Sequence, residues 1–301
     1  MVLNFKTLIE LTIPHFLSIV FLAPVSTFLI IYKTPPGFEI IPIILSLSFA
    51  VLAFNSMNMI YDFELDKIEK PLRPLPRGDV TKNEAWSAVF LFYACSILIS
   101  IFVNKTFFVL ILAFILTAYL YSHPKINLKK YFWTSSIVGT VLYGIIPFLS
   151  AWSLKKGDIP IYFLFLFASF FFIISNTKDF EDLEGEKKVG INSMPLKFGW
   201  KTTKNFIITG VGILIVITAL LSSINYLPYK YLYASAVSFV LFLVMIHLFA
   251  TSLRKLQCKQ IIFRELKNSK MKDIISQSDA VSINVSMILV IELIYGFFSI
   301  I

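Results

Sequence analysis

The chain has 301 residues, 57% of them hydrophobic and 16% aromatic, and only 15% charged. Soluble domains carry about 25% charged residues, so this composition excludes an ordinary soluble globular protein and predicts an integral membrane protein. The net charge of +9 comes without a basic–aromatic nucleic-acid motif, a Gly-rich phosphate loop or a low-complexity linker. Loops facing anionic lipid account for it, and no nucleic-acid partner is expected.

A membrane helix needs about 20 mostly apolar residues. Residues 1–12 carry Lys6 and Glu10 and lead into apolar sequence without a small-residue cleavage site, which does not look like a cleaved signal. The apolar runs predict nine spans: 13–32, 40–61, 85–103, 106–121, 132–152, 159–177, 206–224, 231–252 and 281–301. The expected fold is therefore all-α, a polytopic bundle of nine transmembrane helices forming one domain over 1–301. Pro24, Pro42 and Pro147 fall inside spans, where local kinks are tolerated. The stretch 253–278 mixes Leu253, Leu256, Ile261, Ile262 and Leu266 with many cations and reads as an interfacial amphipathic helix. Cys95 lies in an apolar run and Cys258 in a basic loop, which argues against a disulfide framework. His15, His123 and His247 have no zinc-type spacing.

The loops differ sharply in basic content. Those after spans two, four, six and eight hold 21 of the 27 Lys and Arg. Positive charge collects in cytoplasmic loops, so the N-terminus is expected inside, at the cell membrane's cytoplasmic face. Spans two and six then end on that same side, because four spans separate them.

Those two span ends carry the acids. Asn58, Asp62 and Asp66 lie in NMIYDFELD, and Asp179, Asp182 and Glu186 in DFEDLEGE. At about 3.6 residues per turn, the spacings i, i+4, i+8 and i, i+3, i+7 put each set on one helix face. Carboxylates are expensive near a bilayer, so several aimed the same way point to a bound cation. Magnesium takes oxygen ligands and is usually held by one or two carboxylates together with substrate phosphates. All six residues are the expected Mg2+ ligands around a diphosphate, with Asp62, Asp66, Asp179 and Asp182 at the catalytic centre.

Cations follow each set: Lys67, Lys70, Arg73 and Arg77 after the first, Lys187 and Lys188 after the second. Pro71, Pro74, Pro76 and Gly78 stop the helix and are expected to hold the basic segment extended over the phosphates. Arg73 is the candidate for a bidentate phosphate contact. Lys67 and Lys178 adjoin the acids, where phosphate binding and charge pairing both remain open. Tyr121 and Ser122, at the cytoplasmic end of span four, sit at the level needed to orient a diphosphate or an acceptor. Arg77, Lys125 and Lys129 are read as contacts to anionic lipid, and Glu64, Glu69, Glu181 and Glu184 as solvated. An allylic diphosphate needs such an apparatus: its C–O bond breaks as charge on the leaving group is neutralised. An apolar, aromatic bundle then shields the carbocation from water.

These residues resemble a known family. Asn58, Asp62 and Asp66, followed by Lys70 and LRPLPRG, resemble the first signature of the UbiA-type intramembrane prenyltransferases, NxxxDxxxD and then RP-(L/I)-P-x-G. KDFEDLEGE, with Gly190 and NSMPLKFG after it, resembles the second, DxxDxxxD leading to G-x-x-(S/T)-L-P. Tyr121-Ser122 is similar to an element common after the fourth helix, and the resemblance covers roughly 53–199. Glu186 stands where the family usually has Asp, and Ile13-Pro14-His15 where it often has Arg-Pro. The resemblance implies a nine-helix fold, both clusters binding Mg2+–diphosphate, and transfer of a polyprenyl group to an acceptor. The family's acceptors include aromatic quinone precursors, haem, chlorophyllide, carotenoids and archaeal glycerol-phosphate lipids. The LRPLPRG and NSMPLKFG contexts look most like the last branch. The expected donor is geranylgeranyl diphosphate and the expected acceptor geranylgeranylglyceryl phosphate, with an aromatic quinone precursor as the alternative. No obligate protein partner is evident.

Two other classes fit less well. A CDP-alcohol phosphotransferase needs a DG-xx-AR run followed by G-xxx-D-xxx-D, which is absent. A cation or metabolite carrier calls for carboxylates near mid-span, whereas these lie at span ends.

Overall fold

A backbone in lipid has to satisfy its own N–H and C=O groups, and this chain does so with helices. The computed structural model describes residues 17–71, 73–155, 157–180, 183–265 and 279–301, with residues 7 and 11; Asp182, Glu181, His15 and residues 266–278 lie outside them. Among the described residues there is no strand, and one isolated bridge pairs Tyr131 with Asn192.

Among the described residues seven helices are long and apolar enough to cross a membrane: Phe38–Tyr61, Lys82–Val103, Lys105–Ser122, Phe132–Trp152, Ile161–Phe180, Trp200–Ser223 and Lys230–Arg254. Shorter apolar helices, Leu17–Tyr32 and Ile288–Ile300, stand where the first and last spans were expected. The helix Asp279–Ile300 packs against both Leu17–Tyr32 and Lys230–Glu265. Side chains of spans two to five form one apolar core around Ile43, Leu47, Phe107, Phe114 and Leu142. Spans six to nine form a second around Phe167, Phe170, Phe249 and Tyr295.

The prolines act differently from one another. Pro24 lies inside Leu17–Tyr32. Pro42 starts the helix Ile41–Tyr61 instead of kinking it, because a missing N–H costs nothing in the first turn. The fifth span widens into a π-helical turn, Thr140–Ile145, with the Ile146 N–H reaching the Val141 carbonyl. That turn directly precedes Pro147, whose ring cannot pack against the usual carbonyl four residues back.

Two sequence expectations change. The basic segment after the first acids is not extended throughout: Pro74–Arg77 is a short helix entered from an extended Arg73. A residue before proline is pushed out of the helical region, and proline itself is preorganised for a first helical turn. Residues 253–265 do not begin a separate interfacial helix but continue Lys230–Glu265, a run with no Gly or Pro to break it.

Candidate active site at the ends of spans two and six

The first acidic set survives a change of helix. The span Ile41–Tyr61 ends at Asp62 and the seven-residue helix Phe63–Glu69 follows. The hydrogen-bond ladder nevertheless runs on, from the Asp62 N–H to the Asn58 carbonyl at 2.8 Å and from the Asp66 N–H to the Asp62 carbonyl at 2.7 Å. Asn58, Asp62 and Asp66 therefore keep the shared face that their spacing predicts.

Each member of this set has a partner from elsewhere. Ser122 Oγ donates to Asn58 Oδ1 at 3.1 Å. Lys129 Nζ pairs with Asp62. Arg73 Nη1 donates to Asp66 Oδ2 at 2.7 Å, and Asp66 is 2% exposed. Burial raises the Asp66 carboxyl above its ordinary value, while the charges of Arg73 and Lys70 pull against that shift.

The second set is built on a different backbone. Asp179 lies in a 3-10 helix, Ser175–Phe180, that closes span six, and Glu186 lies in the separate helix Leu183–Val189. The single α-helical face expected for this set is thus replaced by a 3-10 turn followed by a new helix. A 3-10 turn eclipses residues three apart. Asp179 and Glu186 are both buried. Lys178 Nζ lies 3.1 Å from Asp179 Oδ1 and donates to Tyr121 Oη at 3.1 Å. Tyr121 Oη is also 3.5 Å from Ser135 Oγ.

The helices Phe63–Glu69 and Leu183–Val189 pack against each other, setting the segment that carries Asp66 against the one that carries Glu186. The segment between spans four and five clamps them. Ser122 and Lys129 reach the first set, and the Asn192 N–H bonds the Lys130 carbonyl at 2.8 Å. The Phe132 N–H returns to the Asn192 carbonyl at 3.1 Å, tying this connector to the loop after span six.

Not every expected site residue joins the cluster. Lys67 Nζ is 3.1 Å from exposed Glu64 and lies over the Phe63 ring, on the outer side of its helix. Arg77, read as a lipid contact and not as a site residue, pairs with Asp79 at the surface. Lys129 corrects the opposite error: read as a lipid contact, it is instead inside the site on Asp62. Sequence reasoning also missed Glu292, 0% exposed in the last helix, with neither carboxyl oxygen hydrogen-bonded among the described residues. Its signal was a lone acid in the apolar run SMILVIELIYG.

Among the described residues no three Asp, Glu, His or Cys side chains stand together as a ready metal site. The donor chemistry still fits magnesium. Every donor is an oxygen, the donors come from two touching segments, and such an ion takes few protein ligands when phosphates supply the rest.

The model of the UbiA prenyltransferase family matches residues 17–266. A digeranylgeranylglyceryl phosphate synthase from Methanocaldococcus jannaschii is 34% identical over 182 residues, 60% of this chain and 61% of that protein's length. The synthase of that name from Pyrococcus horikoshii is 28% identical over 74% of this chain and 81% of its own. Among solved structures, a UbiA homologue from Archaeoglobus fulgidus bound to GPP and Mg2+ superposes with a TM-score of 0.71 at 18% identity, covering 98% of this chain and 99% of the other. With its membrane-spanning helices and the two clamped acidic segments, this chain belongs to the UbiA prenyltransferase family.

Proposed function

We propose that this chain transfers a polyprenyl group, geranylgeranyl, from its diphosphate to the free glycerol hydroxyl of geranylgeranylglyceryl phosphate, with Mg2+ as cofactor. The observation that carries this reading is the meeting of the two acidic helices under one connector. The names of the Methanocaldococcus and Pyrococcus relatives support the choice of acceptor. The basic content of the loops after spans two, four, six and eight supports a cytoplasmic site and a cytoplasmic N-terminus.

In this reading Asn58, Asp62, Asp66, Asp179, Asp182 and Glu186 hold the metal. Bound Mg2+ supplies charge neutralisation at the diphosphate oxygens. Arg73, Lys129 and Lys178 meet the negative charge that builds on the leaving group. Tyr121, hydrogen-bonded to Lys178, fixes the direction of that ammonium, and Ser122 fixes the Asn58 amide. The allylic C–O bond breaks, the acceptor oxygen forms the new C–O bond at the same carbon, and its proton leaves to a base. Apolar walls of Phe and Tyr exclude water while the carbon is cationic.

The test is a product assay on purified protein with geranylgeranyl diphosphate, Mg2+ and a panel of acceptors. The expected product has the mass of the dialkyl glyceryl phosphate ether, formed with stoichiometric diphosphate release and abolished by chelator. A prenylated aromatic as sole product would move the chain to the quinone-precursor branch. Failure to release diphosphate with any acceptor would sink the assignment.

A further inference from the structure

The first acidic set is neutralised by the protein itself. Asp62 and Asp66 carry two negative charges, Lys129 and Arg73 return two positive ones, and Lys70 adds a third cation near Asp66. Lys129 and Asp62 are 67 residues apart and come from different loops, with side chains only 12% and 13% exposed. Removing one partner from a mostly desolvated pair leaves a poorly hydrated charge behind, which costs more than breaking a surface ion pair. The Lys129 ammonium also fills the position that a cation on Asp62 would need.

The connector supports movement of the charge without movement of its base. The Lys130 carbonyl is bonded to the Asn192 N–H, and Asn127 holds a left-handed turn at φ 49. The backbone on both sides of Lys129 is therefore fixed, while the ammonium sits on a flexible four-carbon stem. Charge balance then favours joint binding. A divalent cation alone would add positive charge where Lys129, Arg73 and Lys70 already match the acids, and a diphosphate alone would find two of those cations held by carboxylates. Arriving together, they nearly cancel, and each finds a partner as the ammonium moves from carboxylate to phosphate.

We propose that Lys129 is a tethered counter-ion that holds Asp62 in the metal-free protein and passes to the diphosphate, so that metal and diphosphate bind as a coupled pair. Lys129 is thus a positioning residue with opposite effects on the two ligands. The inference rests on reading this site as a metal–diphosphate site.

Calorimetry on the purified full chain tests it, with Mn2+ alone, inorganic pyrophosphate alone, and both. The wild-type protein should bind each alone weakly and the two together much more tightly. Lys129→Met should bind Mn2+ alone about tenfold more tightly and pyrophosphate about tenfold more weakly, the size of one charge-assisted contact. Lys129→Arg should restore the coupling in part. Because Lys129→Met leaves Asp62 without its cation, Lys129→Gln serves as the second variant, keeping a hydrogen bond without the charge and shifting both affinities the same way. Unchanged or weaker Mn2+ binding in both variants would overturn the counter-ion role while leaving the site intact. Wild-type protein that binds neither ligand, alone or together, would overturn the metal–diphosphate reading and this inference with it.

Discussion

After the second span the chain passes through the seven-residue helix Phe63–Glu69, the short helix Pro74–Arg77 and Gly78 before entering Lys82–Val103. After the sixth it passes through the seven-residue helix Leu183–Val189, the short helix Met194–Phe198 and Gly199 before entering Trp200–Ser223. Both short helices have proline in the first turn and a glycine at positive φ beyond the last. The plan is shared, but the acids are set differently. In the first loop the cations come from a distance, Arg73 from beyond the helix and Lys129 from the connector. In the second, Asp179 lies beside its sequence neighbour Lys178, and that ammonium extends the contact to Tyr121. The first set depends on tertiary closure, whereas the second is partly made by the chain itself. A shared backbone plan can therefore diverge in electrostatics.

The strongest way to break this comparison is to remove one acid from each loop. Asp62→Ala and Asp179→Ala should each lower turnover on the order of 100-fold or more, as expected when a charge-stabilising group at a reacting centre is lost. Far-ultraviolet circular dichroism and elution volume should stay those of the parent. Full activity in either variant would show that its loop is a structural copy without a share in the chemistry. Tyr121→Phe gives a smaller effect, because it removes one acceptor from Lys178 and leaves the ring packing on Phe54. A fall of about tenfold is expected from one hydrogen bond. It should come with unchanged Mn2+ affinity, and a loss of metal binding would mean that Tyr121 supports the acids themselves.

How much of this was legible depended on whether a residue's partner was near it in sequence. The shared face of Asn58, Asp62 and Asp66 was legible from spacing, because an i, i+4 ladder runs on even across the change of helix at Asp62. Asp179 and Glu186 were read as one helix face, and the 3-10 turn between span and helix was not foreseen, since SNTKDF carries no Gly or Pro to announce it. Lys129 was read as a lipid contact, because the partner it takes, Asp62, lies 67 positions away. Glu292 was overlooked because one acid among apolar neighbours does not change the count of spans. Unlike the paired acids at the mouth, its carboxyl has no hydrogen-bond partner among the described residues. Glu292→Leu should therefore leave the thermal midpoint unchanged or raise it, by about 1–3 kcal/mol in stability if a desolvation cost is relieved. A lowered midpoint would show that the carboxyl has a partner in the folded protein.

The smallest effects test the shared plan itself. Gly78 and Gly199 hold φ of 85° and 82° at matching points of the two loops, and a Cβ at either would meet no atom within 4 Å. Packing is thus removed from the comparison, leaving only a backbone cost, which differs between the two. Gly78 pairs its φ with ψ 11, the left-handed helical region, which costs an ordinary L-residue about 1–2 kcal/mol and Asn less. Gly199 pairs its φ with ψ 161, a region held almost only by glycine, where the cost is about 1–3 kcal/mol and Asn gains nothing. Gly199→Ala should therefore lower stability more than Gly78→Ala, with Gly→Asn milder at Gly78 alone, as read by urea denaturation in detergent. Equal costs would mean that the backbone at Gly199 relaxes on substitution. If Gly78→Ala were silent and Gly199→Ala costly, the first loop would be able to rearrange, and its closure would rest on the Arg73 and Lys129 ion pairs and not on its turn.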